Sequence, residues 1–246
     1  KKENHIRRKT MMKEILIRLQ KELERMSDQK LQENGQRYFK EPIKTYGTKT
    51  GEVVKLGKTY FKEIKGLDKE EVFELCEELW KSGYLEKTFI ACEWTYNMHD
   101  QFEEEDLEIF ERWIEKYVTN WASCDTFCNH TVGEFLMMYP RHITTIKKWA
   151  RSNNRWMKRA SAVSLIIPAR KGMFLKDIFE IADILLLDQD EMVQKGYGWM
   201  LKAASEDDER AVFKYVMKNK ATMPRTSLRY AIEKMPKELK KEAMAK

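Results

Sequence analysis

Residues Asn120 to His130 read NWASCDTFCNH. Trp121 stands one helical turn ahead of Asp125, and residues four apart share a helix face. Asp125 is the one acidic residue between Glu115 and Glu134, among neighbours that are small, polar or sulfur-bearing. Burying such a carboxylate is costly without compensation. Taken alone, the stretch describes an aspartate that caps a helix or pairs with a structural arginine. Working outward, similar positions recur every 34 to 41 residues: Trp80 to Trp121, Trp113 to Trp149, Asp125 to Arg159, Arg159 to Trp199. One helical hairpin per period is the mark of an α-solenoid of the HEAT kind. Its concave face would be lined by one helix of each pair and would carry a basic surface. Trp121, Asp125, Arg159 and Trp199 are candidates to meet there.

The pattern along the chain is helix after helix, with no strand signal. Ile15, Leu16, Leu19, Leu23 and Met26 form an apolar stripe over 10–26. Further helices are expected at about 28–39, 50–64, 68–82, 84–98 and 103–118. Asp68 with Glu71 reads as a capping box, and Gly83 as a stop. Short helices at 121–128 and 131–138 are expected as separate elements, because Thr131 and Glu134 also have capping-box spacing. Pro140 breaks the chain, and helices follow at about 142–151, 153–167, 174–187, 190–204, 207–219, 225–233 and 236–244. The expectation is an all-α, HEAT-like helical-repeat solenoid forming a single domain over 1–246. A basic N-terminal helix occupies 1–27, repeats fill 28–233, and a C-terminal helix lies in 234–246.

Composition agrees. Five Pro, ten Gly and 35% charged residues in 246 favour helices over β-rich or disordered structure. No apolar run approaches the roughly 18 residues that span a bilayer, and no apolar segment follows the charged start KKENHIRRKT, so no secretory signal is expected. Cys76, Cys92, Cys124 and Cys128 lie in helix-like segments rather than a disulfide pattern. Cys124 and Cys128 have only His130 beside them, too few for a structural zinc site, so no metal is expected. The reading is a reduced, intracellular, cytoplasmic protein. The net charge of +6 is unevenly spread: residues 68–115 hold 16 acidic and 4 basic side chains, and residues 141–171 hold 9 basic and no acidic ones. A carboxylate-free run of that length suits a polyanion such as nucleic acid.

Three separated segments then carry a resemblance: NWASCDTF, NRWMKRASAV and VQKGYGWMLKAAS, in that order and spacing, with RYFKEPIKTYGTKT upstream. They resemble the AlkD-like DNA alkylation repair family, HEAT-like helical glycosylases that remove alkylated purines, over roughly residues 30–232. The resemblance implies catalysis by Asp125, with Trp121 and Trp199 against the lesion and Arg159 on the DNA backbone. Cys124 and the adjacent Lys158–Arg159 vary the pattern without disturbing those positions, and the basic residues before Lys13 have no clear counterpart. Lys158, Arg155, Arg151, Lys147 and Lys148 would add sequence-independent phosphate affinity. Trp149 and Trp156 fit either core or surface.

These residue types suit the chemistry. An N3- or N7-alkylated purine is cationic and already a good leaving group, and its loss leaves oxocarbenium character on the sugar. A preorganised carboxylate stabilises that charge and directs water. Aromatic faces favour the cationic base by about 0.5–2 kcal/mol each. With no lysine in 120–130, a lyase-free hydrolysis is expected, needing no cofactor. His130 is a conceivable alternative base. The expected partner is double-stranded DNA with alkylated bases, bound by a monomer without membrane contact. The competing readings are a non-catalytic HEAT-like protein that binds DNA structures and a scaffold for acidic proteins.

Overall fold

The computed structural model describes residues 2–245, with side chains from residue 7 onward. Its described residues fold into α-helices and short 3-10 and π turns, without a β-strand. They gather into two compact units, residues 1–103 and 104–246.

The first unit holds α1 (Lys2–Arg25), α2 (Gln29–Gln36), α3 (Thr50–Ile64), α4 (Lys69–Lys81) and α5 (Leu85–Tyr96). Helix α1 begins well before the apolar stripe that announces it, and that stripe buries Ile15, Leu19 and Leu23. The Asp68 box forms: Glu71 accepts from the Asp68 backbone N–H at 3.1 Å, and Arg8 of α1 donates to Glu71 at 2.8 Å. Gly83 ends the segment with φ +70, a conformation that costs glycine little. The long connection before α3 is fixed from within. Buried Glu86 accepts from the Thr45 hydroxyl at 2.6 Å and from the backbone N–H groups of Tyr46, Gly47 and Thr48. These charge-assisted bonds satisfy the buried carboxylate and tie the loop to the start of α5.

The second unit continues with α6 (Asp106–Tyr117), α7 (Trp121–Phe127), α8 (Gly133–Met138), α9 (Ile143–Trp149), α10 (Arg155–Val163) and α11 (Ile166–Arg170). Then come α12 (Leu175–Leu185), α13 (Glu191–Ser205), α14 (Glu209–Asn219), α15 (Arg225–Ala231) and α16 (Lys237–Met244). Two helix boundaries differ from expectation. Thr131 caps nothing: the chain runs from α7 into α8 through a π turn over Cys128–Val132, with Val132 and Gly133 both helical and Thr131 buried. No residue here is barred from helical geometry, so the helix widens by one residue instead of breaking. The expected 153–167 helix is divided instead, at Ser164 and Leu165 between α10 and α11.

Phe110, Trp113, Phe127 and Phe135 form the aromatic centre beneath α7, with Phe110 edge-on to Phe127 at 5.5 Å and to Phe135 at 6.0 Å. Edge-to-face geometry adds to the area these rings bury. Trp149 and Trp156 are buried as well.

Helix α10 packs against both α7 and α13, and α13 packs against α15. Two glycines let α13 come so close. A Cβ on Gly196 would meet Arg159 Cγ at 3.3 Å. One on Gly198 would lie 2.7 Å from Tyr230 Cβ and 2.8 Å from the Ser227 carbonyl oxygen. Gly198→Ala is therefore expected to lower the urea midpoint by the equivalent of about 1–3 kcal/mol, the range for overpacking a tight core. Gly35→Ala, where a Cβ meets nothing within 4 Å, should be neutral or stabilising by up to about 1 kcal/mol.

Candidate functional site

Helices α7, α10 and α13 begin in the same way. Asn120 accepts from Ser123 N at 2.9 Å, Asn154 from Trp156 N at 2.9 Å and Asp190 from Met192 N at 2.8 Å. Each side chain satisfies an N–H that the first helical turn leaves unpaired, and so fixes where its helix starts. Fixed starts set the register at which side chains of neighbouring helices meet.

Asp125 and Arg159 meet on these terms. Arg159 Nε donates to Asp125 Oδ1 and Nη2 donates to Oδ2, both at 2.8 Å. The third guanidinium nitrogen, Nη1, donates to the Met192 carbonyl of α13. This parallel, two-pronged contact is the strong form of the arginine–carboxylate bond. It is also nearly dry, with side-chain exposures of 6% for Arg159 and 14% for Asp125. Burial pushes the Asp125 carboxyl above the usual aspartate range, while the hydrogen bonds and charge of Arg159 pull against it. Burial works against the Arg159 charge too, but Asp125 more than compensates and holds the guanidinium protonated. The carboxylate is thus paired, oriented and still partly open.

Trp121 shares the Asp125 face of α7 through its i, i+4 spacing. On α13, Met192, Gly196 and Trp199 are spaced i, i+4, i+7, which places Trp199 on the stripe whose other members touch Arg159. Both tryptophans are partly exposed. Asp125 and Arg159 thus meet between α7 and α10, Trp121 shares the Asp125 face of α7, and Trp199 shares the α13 stripe that touches Arg159. The bidentate pairing and the parts taken by Met192 and Gly196 were not read from the sequence. The Gly-x-Gly of QKGYGW was the available sign of a close approach.

The basic residues fare differently. Lys158 is paired with Asp188, Arg155 Nε lies 2.7 Å from Asp190 Oδ2, and Lys147 lies 2.6 Å from Asp177 and 2.5 Å from Glu180. These carboxylates lie beyond the basic run in sequence, 30 to 35 residues onward. Lys148 and Arg151 stay exposed and, among the described residues, outside any ion pair. The surface of 141–171 is accordingly much less positive than its local composition. Cys124 and Cys128 are buried and His130 is exposed, and among the described residues no three His, Cys, Asp or Glu side chains converge as a metal site.

The family model described as DNA alkylation repair enzyme matches residues 19–235. The chain belongs to that family. A solved structure described as a predicted DNA alkylation repair enzyme from Enterococcus faecalis has the same fold. It superposes with a TM-score of 0.78 at 16% identity, covering 86% of this chain and 98% of that one. The all-helical repeat architecture expected from the sequence is thereby shown. No curated protein matches the sequence. Among the described residues, no helix is long and apolar enough to cross a membrane.

Removing one partner of a buried pair strands the other charge, which costs about 3–5 kcal/mol. Asp125→Asn alone should destabilise the protein by that order. The double variant Asp125→Asn/Arg159→Met should recover most of the loss, which a urea-melt double-mutant cycle will read as a large coupling energy.

Proposed function

We propose that this DNA alkylation repair family member is a monofunctional DNA glycosylase that hydrolyses the N-glycosidic bond of N3- and N7-alkylated purines in double-stranded DNA. The observation that carries the reading is the partly open Asp125 carboxylate held on both oxygens by Arg159, with partly exposed Trp121 one turn before it on α7. Each Asp125 oxygen accepts one bond from Arg159. An ionised carboxylate has about four acceptor sites, so acceptor capacity remains on both oxygens.

The chemistry balances without a covalent enzyme intermediate. The bond from C1′ to the purine nitrogen breaks, and its electron pair leaves with the base, cancelling the base's positive charge. Positive charge grows across C1′ and O4′ of the sugar. Asp125 stabilises it at close range in a site where little water screens the interaction. A water oxygen then bonds to C1′ and gives a proton to Asp125, which releases it to solvent. Trp121 and Trp199 would offer π faces to the cationic base, favouring it over neutral purines. Arg159 keeps Asp125 charged and aimed, and its two N–H groups not engaged with Asp125 or Met192 are where a backbone phosphate would bond. Lys148 and Arg151 would add phosphate affinity first. Lys147, Arg155 and Lys158 would add theirs by exchanging a protein carboxylate for a phosphate.

The test is release of free 3-methyladenine and 7-methylguanine from methylated duplex DNA. The wild-type protein should release both, and Asp125→Asn/Arg159→Met, folded but without the carboxylate, should lose about 10²–10³-fold or more. The single-turnover rate should fall as pH drops through the Asp125 pKa, with its midpoint above the ordinary aspartate range, because the ionised form is the active one. A wild-type protein that binds the duplex and releases no base would make it a non-catalytic DNA-binding relative.

A further inference from the structure

Helix α3 carries a lysine on each successive turn: Lys55, Lys58, Lys62 and Lys65, the last at its C-cap. At about 100° per residue these four fall within an arc of about 80°, where the other member is Gly51. All four are exposed. Among the described residues none makes an ion pair, in contrast to Lys147, Arg155 and Lys158 of the second unit. Glu93, half-buried under α3, feels Lys58 without bonding to it. The stripe is also held in one orientation. Trp94 Nε1 of α5 donates to the Gly57 carbonyl at 2.9 Å, and a Cβ on Gly57 would lie 2.5 Å from Glu93 Oε2, so α3 is seated on α5 by its opposite side. Val53, Gly57, Tyr60 and Ile64 are buried on that side.

We infer that the α3 stripe is a second phosphate-binding surface, within the first unit, that grips the backbone of duplex DNA independently of sequence and of the lesion. The inference rests on the reading that the protein acts on DNA. Four unpaired ammonium groups along about 15 Å of helix match a polyanion of closely spaced fixed charges. A solvated helix face normally mixes signs, with carboxylates set one turn from the lysines. An interfacial membrane helix would need large apolar side chains beside the charges. The arc itself holds none; exposed Val54 and half-buried Phe61 flank one edge only, too little apolar surface to seat a helix in a bilayer interface.

The test is the salt dependence of binding to an undamaged, unmethylated duplex. Compare the wild-type chain with Lys55→Gln/Lys58→Gln/Lys62→Gln/Lys65→Gln; glutamine keeps helix propensity, so circular dichroism should not change. A charge-matched control carries Lys214→Gln/Lys218→Gln/Lys237→Gln/Lys241→Gln, all at exposed positions. The slope of log K against log salt should become shallower by about 0.9 for each α3 lysine that meets a phosphate, with an overall change of at least about 2. The control should keep the wild-type slope. An unchanged slope in the α3 variant, or an equal change in the control, overturns the inference. So does a stripe whose loss affects binding to anionic vesicles but not to DNA. Because no base release is measured, failure of the glycosylase reading would leave this result standing, and the converse also holds.

Discussion

Two charges placed almost out of water, two hydrogen bonds apart, are the constraint around which the second unit is arranged. Desolvating a carboxylate and a guanidinium costs several kcal/mol per ion, and their mutual attraction repays this only when the geometry is very good. Here it is: both Asp125 oxygens are engaged at 2.8 Å, and the remaining guanidinium nitrogen has a carbonyl to bond. An apolar pair of the same volume would often serve stability as well or better. In the proposed reaction the pair has a separate use, since a carboxylate preset toward a developing cation needs no reorganisation when the bond breaks.

That geometry depends on how three helices are placed. Asparagine or aspartate caps start α7, α10 and α13, and Gly196 and Gly198 let α13 lie close to its neighbours. The aromatic cluster below α7 keeps that helix from rotating. The π turn between α7 and α8 lets Asp125 and the buried face of α8 share one continuous helical run without a loop. The same packing sets the electrostatics. Carboxylates from the α12 and α13 region neutralise much of the basic run, so within it Lys148, Arg151 and Lys171 are left exposed and outside any ion pair among the described residues.

The sequence made the helices legible because their apolar stripes, caps and stops are local signals. Asp68, Gly83 and the 50–64 segment are examples. The candidate site was legible as four residue positions, since a repeat of 34 to 41 residues says which positions face one another. What escaped was longer in range or had no local signature. Asp125 to Arg159, Arg155 to Asp190 and Lys158 to Asp188 are ion pairs joining residues 34, 35 and 30 apart. Counting charges within a single window treats 141–171 as bare, whereas its counterions arrive 30 to 35 residues later. The repeat spacing, applied to the charges as it was to the tryptophans, points to the first two of these pairs, while Lys158 to Asp188 falls short of a full repeat. The π turn was hidden for another reason. A Thr131–Glu134 pair has capping-box spacing whether or not the helix breaks there, and only the hydrogen-bond pattern decides.

The central claim is that Arg159 acts by orienting Asp125, beyond supplying a neighbouring positive charge. Arg159→Lys keeps the charge and removes the fork that binds both carboxylate oxygens. Single-turnover release of 7-methylguanine from methylated duplex by this variant, at saturating protein, is the direct test. A fall of about 10²-fold, the scale expected for misplacing a catalytic group by about 1 Å, is the result this account predicts. A rate equal to wild type would contradict it.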